Sequence, residues 1–287
     1  IIVIIIVIFT MTPLELFFNS CQSEDKEKKD CDEYLASFRS DINSFLNVPI
    51  IVNNNSRAFG QDEFNDGPDT IITVFIDLPD KPINEPDPNL EGLLTPQDMV
   101  NLARDYGAEF SMYDDGLHND SIHISVESAR ESLTPLYMDS RRFLIQKGLT
   151  DNDMDEILSE MSLDSSCLIA LALTIAIEEE SIMTETAWNN TRYNRLFTSQ
   201  AYADSAGDIA LNCLWKALGI DTFIGYFTYR VTDGITKEIA KRIIKKCAVR
   251  MLGWVGAAVA LVEFVDCTVH YLSLIHISEP TRQAEIS

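Results

Sequence analysis

The sequence predicts a mainly α protein: a helical domain from about Thr95, preceded by an extended, poorly structured acidic tether with at most a short strand. Three observations predict it. Capped and amphipathic segments succeed one another from Thr95 to Tyr271. Residues 21–94 are polar, acidic and broken by turn formers. Within them a single run, TIITVFIDL at 70–78, is rich in β-branched residues.

The tether's two flanks, NVPIIVNNNSRAFGQDEFNDGPD and DLPDKPINEPDPNLEG, carry the Pro, Gly, Asn and Asp that discourage long elements. Beyond them, TPQDMVNLARDYG reads as a helix with Thr95 as N-cap, Pro96 in the first position, Asp98 two residues later and Gly107 as the stop. Pro135 is expected to open a second helix that Gly148 closes. Thr150 then caps DNDMDEILSEM, whose acids sit in the first turn where the helix dipole favours them. The alternating Asp151, Asp153 and Asp155 do not make a calcium loop. Its sixth position is Glu156 rather than Gly, and its twelfth is Ser162 rather than Glu.

Cys167–Ile177, CLIALALTIAI, is apolar on every side and reads as a central core helix, being too short to span a bilayer. Three glutamates follow it, a charge disfavoured at a helix C-terminus, so the helix is expected to continue toward Trp188 and stop at Asn189–Asn190. Asp208 caps a further helix ended by Gly219.

Charge is unevenly spread. Residues 1–235 hold 15 Lys/Arg against 40 Asp/Glu, a net of −25; residues 236–287 hold 7 against 5, a net of +2, giving −23 overall. So acidic a body is repelled by nucleic acid, and no nucleic-acid partner is expected.

The first twenty residues begin with an apolar run, IIVIIIVIF, and read as a truncated signal peptide without a positive n-region. FFNSCQSEDKEKKD follows, with Ser20 before Cys21 and an acidic stretch after it. This region resembles the cleavage site of bacterial lipoproteins, and the run of Ser, Glu, Asp and Lys is similar to the export signal of surface-exposed lipoproteins of Bacteroidota. The resemblance implies diacylation of Cys21, export, and a location at the outer membrane or cell surface or facing the periplasm. Asn19 is bulkier than that pattern uses, and Pro13 and Glu15 interrupt the apolar segment.

Five further cysteines follow Cys21. No CxxC pair or zinc spacing occurs among them. In an exported chain Cys167, Cys213, Cys247 and Cys267 are candidates for two disulfides with three connectivities, or for four buried thiols.

Chemistry-bearing residues are sparse. MYDDGLHNDSIHIS gathers His118 and His123 with Asp114, Asp115 and Asp120, a set that suits a divalent metal only if the loop folds back. The two histidines are five apart and do not share a helical face, and Gly116 marks a turn, so a solvated acidic loop is the primary expectation. No hydrolase, zinc-protease, phosphate-loop or dinucleotide motif occurs, no catalytic residue is assigned and no cofactor is expected.

The most distinctive segment is GITKEIAKRIIKKCAVRMLGWVGAAVALVEFVDCTVHY. Ile239, Ile243, Cys247 and Met251 recur at helical spacing, widened by Ala240, Ile244 and Ala248. Opposite them stand Lys237, Lys241, Arg242, Lys245, Lys246 and Arg250, candidates with Trp254 for contact with a membrane or a partner. The apolar run 251–262 follows, with Gly253 and Gly256 as small residues that permit close approach. Gly-rich apolar helices beside a basic helix resemble the pore-forming part of some bacteriocins. Read from the residues alone, the segment is a closing core hairpin. Its cations would then face the acidic body, and its apolar run would pack on Cys167–Ile177.

Residues 272–282, LSLIHISEPTR, are similar to one reading frame of a transposon-library sequencing adaptor, and 283–287 fit the bases that follow it, so 272–287 are expected to be foreign to the native protein. The domains read as a signal peptide over 1–20, a tether over 21–94, a helical domain over 95–271 and the adaptor-derived tail. The function expected is a lipid-anchored envelope protein with a non-enzymatic binding role and an unidentified protein or envelope partner. The alternative is a toxin-like, membrane-active effector working through 236–271; a metal-dependent enzyme at His118 and His123 stands third.

Overall fold

Among the described residues, eight α-helices and three short strands follow one another in order. They are α1 (Lys26–Leu46), β1 (Ile71–Asp77), α2 (Pro96–Tyr106), β2 (Glu109–Ser111), β3 (Asp120–Ser125), α3 (Val126–Gln146), α4 (Asp151–Met161), α5 (Cys167–Thr186), α6 (Ala206–Ala217), α7 (Lys237–Cys247) and α8 (Gly253–Ala284). The computed structural model describes residues 26–52, 70–79, 88–114, 120–186, 206–219, 235–247 and 253–284. The protein is mainly helical, as its sequence predicts.

The centre is α5. Every residue from Cys167 to Ile177 is buried, because the segment has no polar face to turn outward. Its one hydroxyl, Thr174, is satisfied internally by donating to the Ala170 carbonyl at 2.7 Å. Its six large aliphatic side chains contribute roughly 9 to 18 kcal/mol of gross transfer free energy, before chain entropy is charged against it. Around α5 pack α1, α3, α6, α7 and α8. The helix continues through the three glutamates to Thr186, in the expected direction; Trp188 and the two asparagines lie outside the described residues.

Local signals placed several boundaries. Thr95 and Thr150 each form a reciprocal capping box, with Asp98 and Asp153 reaching back to the cap backbone. Gly107, at φ +64°, ends α2 in the left-handed conformation that costs glycine nothing. Asp208 lies within α6, which begins two residues before it.

The tether boundary is corrected within 21–94. Residues 26–46 form a 21-residue helix that belongs to the core, burying Cys31, Tyr34, Leu35, Phe38, Ile42, Phe45 and Leu46. Those positions recur at three and four residue intervals, so one continuous apolar stripe drives the helix onto its neighbours. Tyr34 stacks on Phe143 of α3 with ring centroids 4.4 Å apart, shares a 3.0 Å hydrogen bond with Ser140, and the Cys31 thiol donates to the Ala176 carbonyl of α5. These contacts run α1 antiparallel to α3.

The expected strand at 70–78 is present as β1, but it is not alone. It is the middle of an antiparallel sheet of order β2-β1-β3. Val74 faces Ile122, Ile72 faces Ile124 and Ile76 faces Phe110, so a single apolar face meets the helices. Ile50 and Val52 continue the sheet beyond β3 through hydrogen bonds to Ser125 and His123. The stretch DSIHIS, expected to be loop, is therefore strand. Pro135 does not open α3 either: the helix starts at Val126, capped by the Ser125 hydroxyl, and carries Pro135 on its exposed side. Buried Leu133 and Leu136 on either side of it hold the helix together.

Candidate functional site

The C-terminal helices hold most of the residues that the sequence singles out. In α7, Ala240, Ile243 and Ile244 are buried against α5, with Ile239 half-buried beside them. Rotation by one quarter turn brings Lys237 and Lys241 over α4, where they pair with Glu156 and Glu160; the Lys241–Glu160 distance is 2.5 Å. Both pairs are spaced by four residues on each helix, so α4 and α7 lie side by side as two matched charged rows. The hydrogen bond from Lys241 holds the Glu160 carboxyl below its ordinary range, and the same bond raises the Lys241 ammonium above its own.

Two of the proposed contact cations, then, are engaged within the fold. Arg242, Lys245 and Lys246 lie on the exposed side. Arg250 lies outside the described residues, and Cys247 closes α7 with its side chain outside them too. Trp254 corrects its assignment as a surface contact: it is 8 % exposed and meets Tyr137 of α3 edge to face, with centroids 5.9 Å apart.

The helix α8 starts at Gly253, whose φ of +74° is the left-handed conformation glycine tolerates best. From Trp254 to Val262 it is buried continuously, and it packs on α2, α3, α5 and α6. Among the described residues one segment, the 18 residues Gly253–His270, is long and apolar enough to cross a membrane by length and composition; 72 % of it is buried in the fold. The apolar stretch is thus longer than the twelve residues of 251–262, because Phe264, Val265 and Cys267 extend the buried side past Glu263. The helical backbone continues to Ala284, through the segment similar to adaptor sequence.

Cys213 of α6 and Cys267 of α8 form a disulfide with Cα atoms 5.4 Å apart. Cys167, for which the sequence left a disulfide and a buried thiol open, is a buried thiol; burial, with the nearby Asp164, pushes it up to about 11. Cys31 is a second buried thiol. The pairing of 213 with 267 was one of several connectivities open to the sequence and becomes specific only when α6 and α8 pack side by side.

His123 is on β3, 8 % exposed, with its Nδ1 3.1 Å from the Thr73 hydroxyl across the strand pair. A sheet position and a cross-strand hydroxyl account for it. His118 and Asp115 lie outside the described residues, and no group of three or more ligating side chains that could hold a metal occurs among the described ones. Cys21 also lies outside them.

One ionic feature had no signal in the sequence. Lys147, at the end of α3, reaches Glu179 of α5 at 2.5 Å, each side chain 8 % exposed, with the ammonium 5.3 Å over the Phe143 ring. The Lys147 carbonyl accepts from the Ile235 amide, which fixes the chain entering α7 at the same end of the bundle.

Neither a family model, nor a curated protein, nor a solved structure matches this chain.

Proposed function

We propose that the chain is an exported, lipid-anchored envelope protein that works by binding rather than by catalysis. The observation that carries export is the Cys213–Cys267 disulfide, since such bonds form and persist in oxidising compartments and are rare where thiols are kept reduced. The lipoprotein-like site at Ser20–Cys21 supports attachment to a membrane through that cysteine. The binding role is the reading that the sequence favours, and the buried ionisable groups have structural partners. Lys147, Glu179, Tyr34 and His123 are buried and each contacts another part of the fold. The partner proposed is a protein or other envelope component.

Alkylation in intact cells before reduction tests the reading. Mass spectrometry is expected to find Cys213 and Cys267 unmodified until a reductant is added. Quantitative alkylation of both without reductant sinks the export proposal.

A second reading, the membrane-active effector, is favoured by the span-length apolar segment of α8 next to the basic helix α7. Its burial and the α4–α7 ion pairs weigh against deployment from the folded state. Release of dye from anionic vesicles by the intact protein near neutral pH would reverse this order.

A further inference from the structure

We infer that the bilayer lies against one particular end of the bundle, the end formed by the α3–α4 turn and the start of α7, and that the β-sheet is directed away from it. This rests on the lipid anchor at Cys21 proposed above. The helix α1 begins at Lys26, five residues after Cys21. Five residues of fully extended chain reach at most about 18 Å, and no loop composition lengthens that limit. The 74-residue spacer expected over 21–94 would have let the domain stand well away from the surface; a helix that begins at residue 26 and is buried in the core from Cys31 does not.

The contacts of α1 say which end that is. Its N-terminal half lies beside Ala176 of α5 and Phe143 of α3, and Lys147, one turn beyond Phe143, joins Glu179 and Ile235 there. The opposite end of α1 runs into Ile50, which bonds to Leu94 and to Ser125 at the edge of the sheet. A 21-residue helix is about 32 Å long, so the two ends of the domain differ in height above the lipid by roughly that distance when the bundle stands on its anchor. The lipid partner is thus met by Gln146, Gly148 and the nearby Ile145, 45 % exposed, while Leu94, 44 % exposed, and the sheet face outward.

The full chain, expressed behind an intact lipoprotein signal sequence and carrying a genetically encoded fluorophore at Gln146 or at Leu94, is purified and placed on vesicles with an energy acceptor in the headgroups. Uptake of labelled fatty acid by this protein, and its loss in Cys21→Ala, is measured separately. With uptake present, transfer from position 146 is expected to exceed that from position 94 by about twofold or more, given the axial separation of the two ends. Uptake with equal transfer, or with stronger transfer from 94, overturns the orientation and leaves the anchor standing. Absence of uptake overturns the anchor, and the orientation with it.

Discussion

Replacing both Cys213 and Cys267 by Ala removes a cross-link that closes a long loop, and the cost follows from the loop's size. The two residues are 54 apart in sequence, and the loop they close contains α7 and the first half of α8. Restricting a denatured chain by a loop of that length is worth about 4 kcal/mol at 25 °C in the chain-entropy treatment. Against a typical total stability of about 5 to 15 kcal/mol, that is a large fraction. The assay is equilibrium urea unfolding followed by Trp fluorescence and by circular dichroism, on the intact protein, the double variant, and the intact protein held in excess reductant. The variant and the reduced protein are expected to lose similar amounts, close to this value, with a steeper denaturant dependence because their unfolded chains expose more surface. A loss below about 1 kcal/mol in both would refute the reasoning, because residual structure would then restrict the denatured chain without the bond.

Three further outcomes follow from the same structure. Lys147→Ala is expected to cost about 3 to 5 kcal/mol in denaturant unfolding by leaving Glu179 buried without its cation, whereas Lys147→Met with Glu179→Leu recovers most of that loss. Burial is the leading reason why the Asp266 carboxyl is raised above its ordinary range, so its charge is a penalty above the folded-state value that is relieved as pH falls through it. Asp266→Asn should therefore raise the unfolding midpoint at pH 7 and lose that advantage in acid, and an advantage independent of pH would contradict this. Deleting residues 272–287 should change stability by no more than about 0.5 kcal/mol, as expected of residues not selected to pack; a cooperative loss in a melting curve would show them to be part of the fold.

The sequence made legible whatever depends on a few adjacent residues. Thr95 and Thr150 announce their helices because a cap and its reciprocal acid lie within four positions. The core role of CLIALALTIAI is similarly self-contained, since a segment without a polar face has nowhere else to go. The helix α1 was missed although its stripe from Cys31 to Leu46 is regular. Averaging composition over 21–94 blends that stripe with punctuated stretches on its C-terminal side. Pro135 misled for a different reason: proline is favoured in a first turn, yet an exposed interior position flanked by buried leucines also tolerates it. The sheet was unreadable because β2 has three residues and β3 has His123 between its two buried isoleucines, so each strand is defined by its partner more than by its own pattern. Lys147 with Glu179, and Cys213 with Cys267, belong to the same class. Their pairing is a property of helix packing across tens of residues, and single positions carry no mark of it.

The docking of α1 also sets a timetable. Its partners lie far downstream: Asp139 is 102 residues beyond Ser37, Ser140 is 106 beyond Tyr34, and Ala176 is 145 beyond Cys31. At ribosomal rates of about 5 to 20 residues per second, Tyr34 exists for roughly 5 to 20 s before Ser140 has been made. During that interval the apolar stripe of α1 lacks its main partners α3 and α5, and the late closure of so many distant contacts slows folding. The stripe of α1 therefore waits for the third and fifth helices, and the core that α6, α7 and α8 complete waits longer still.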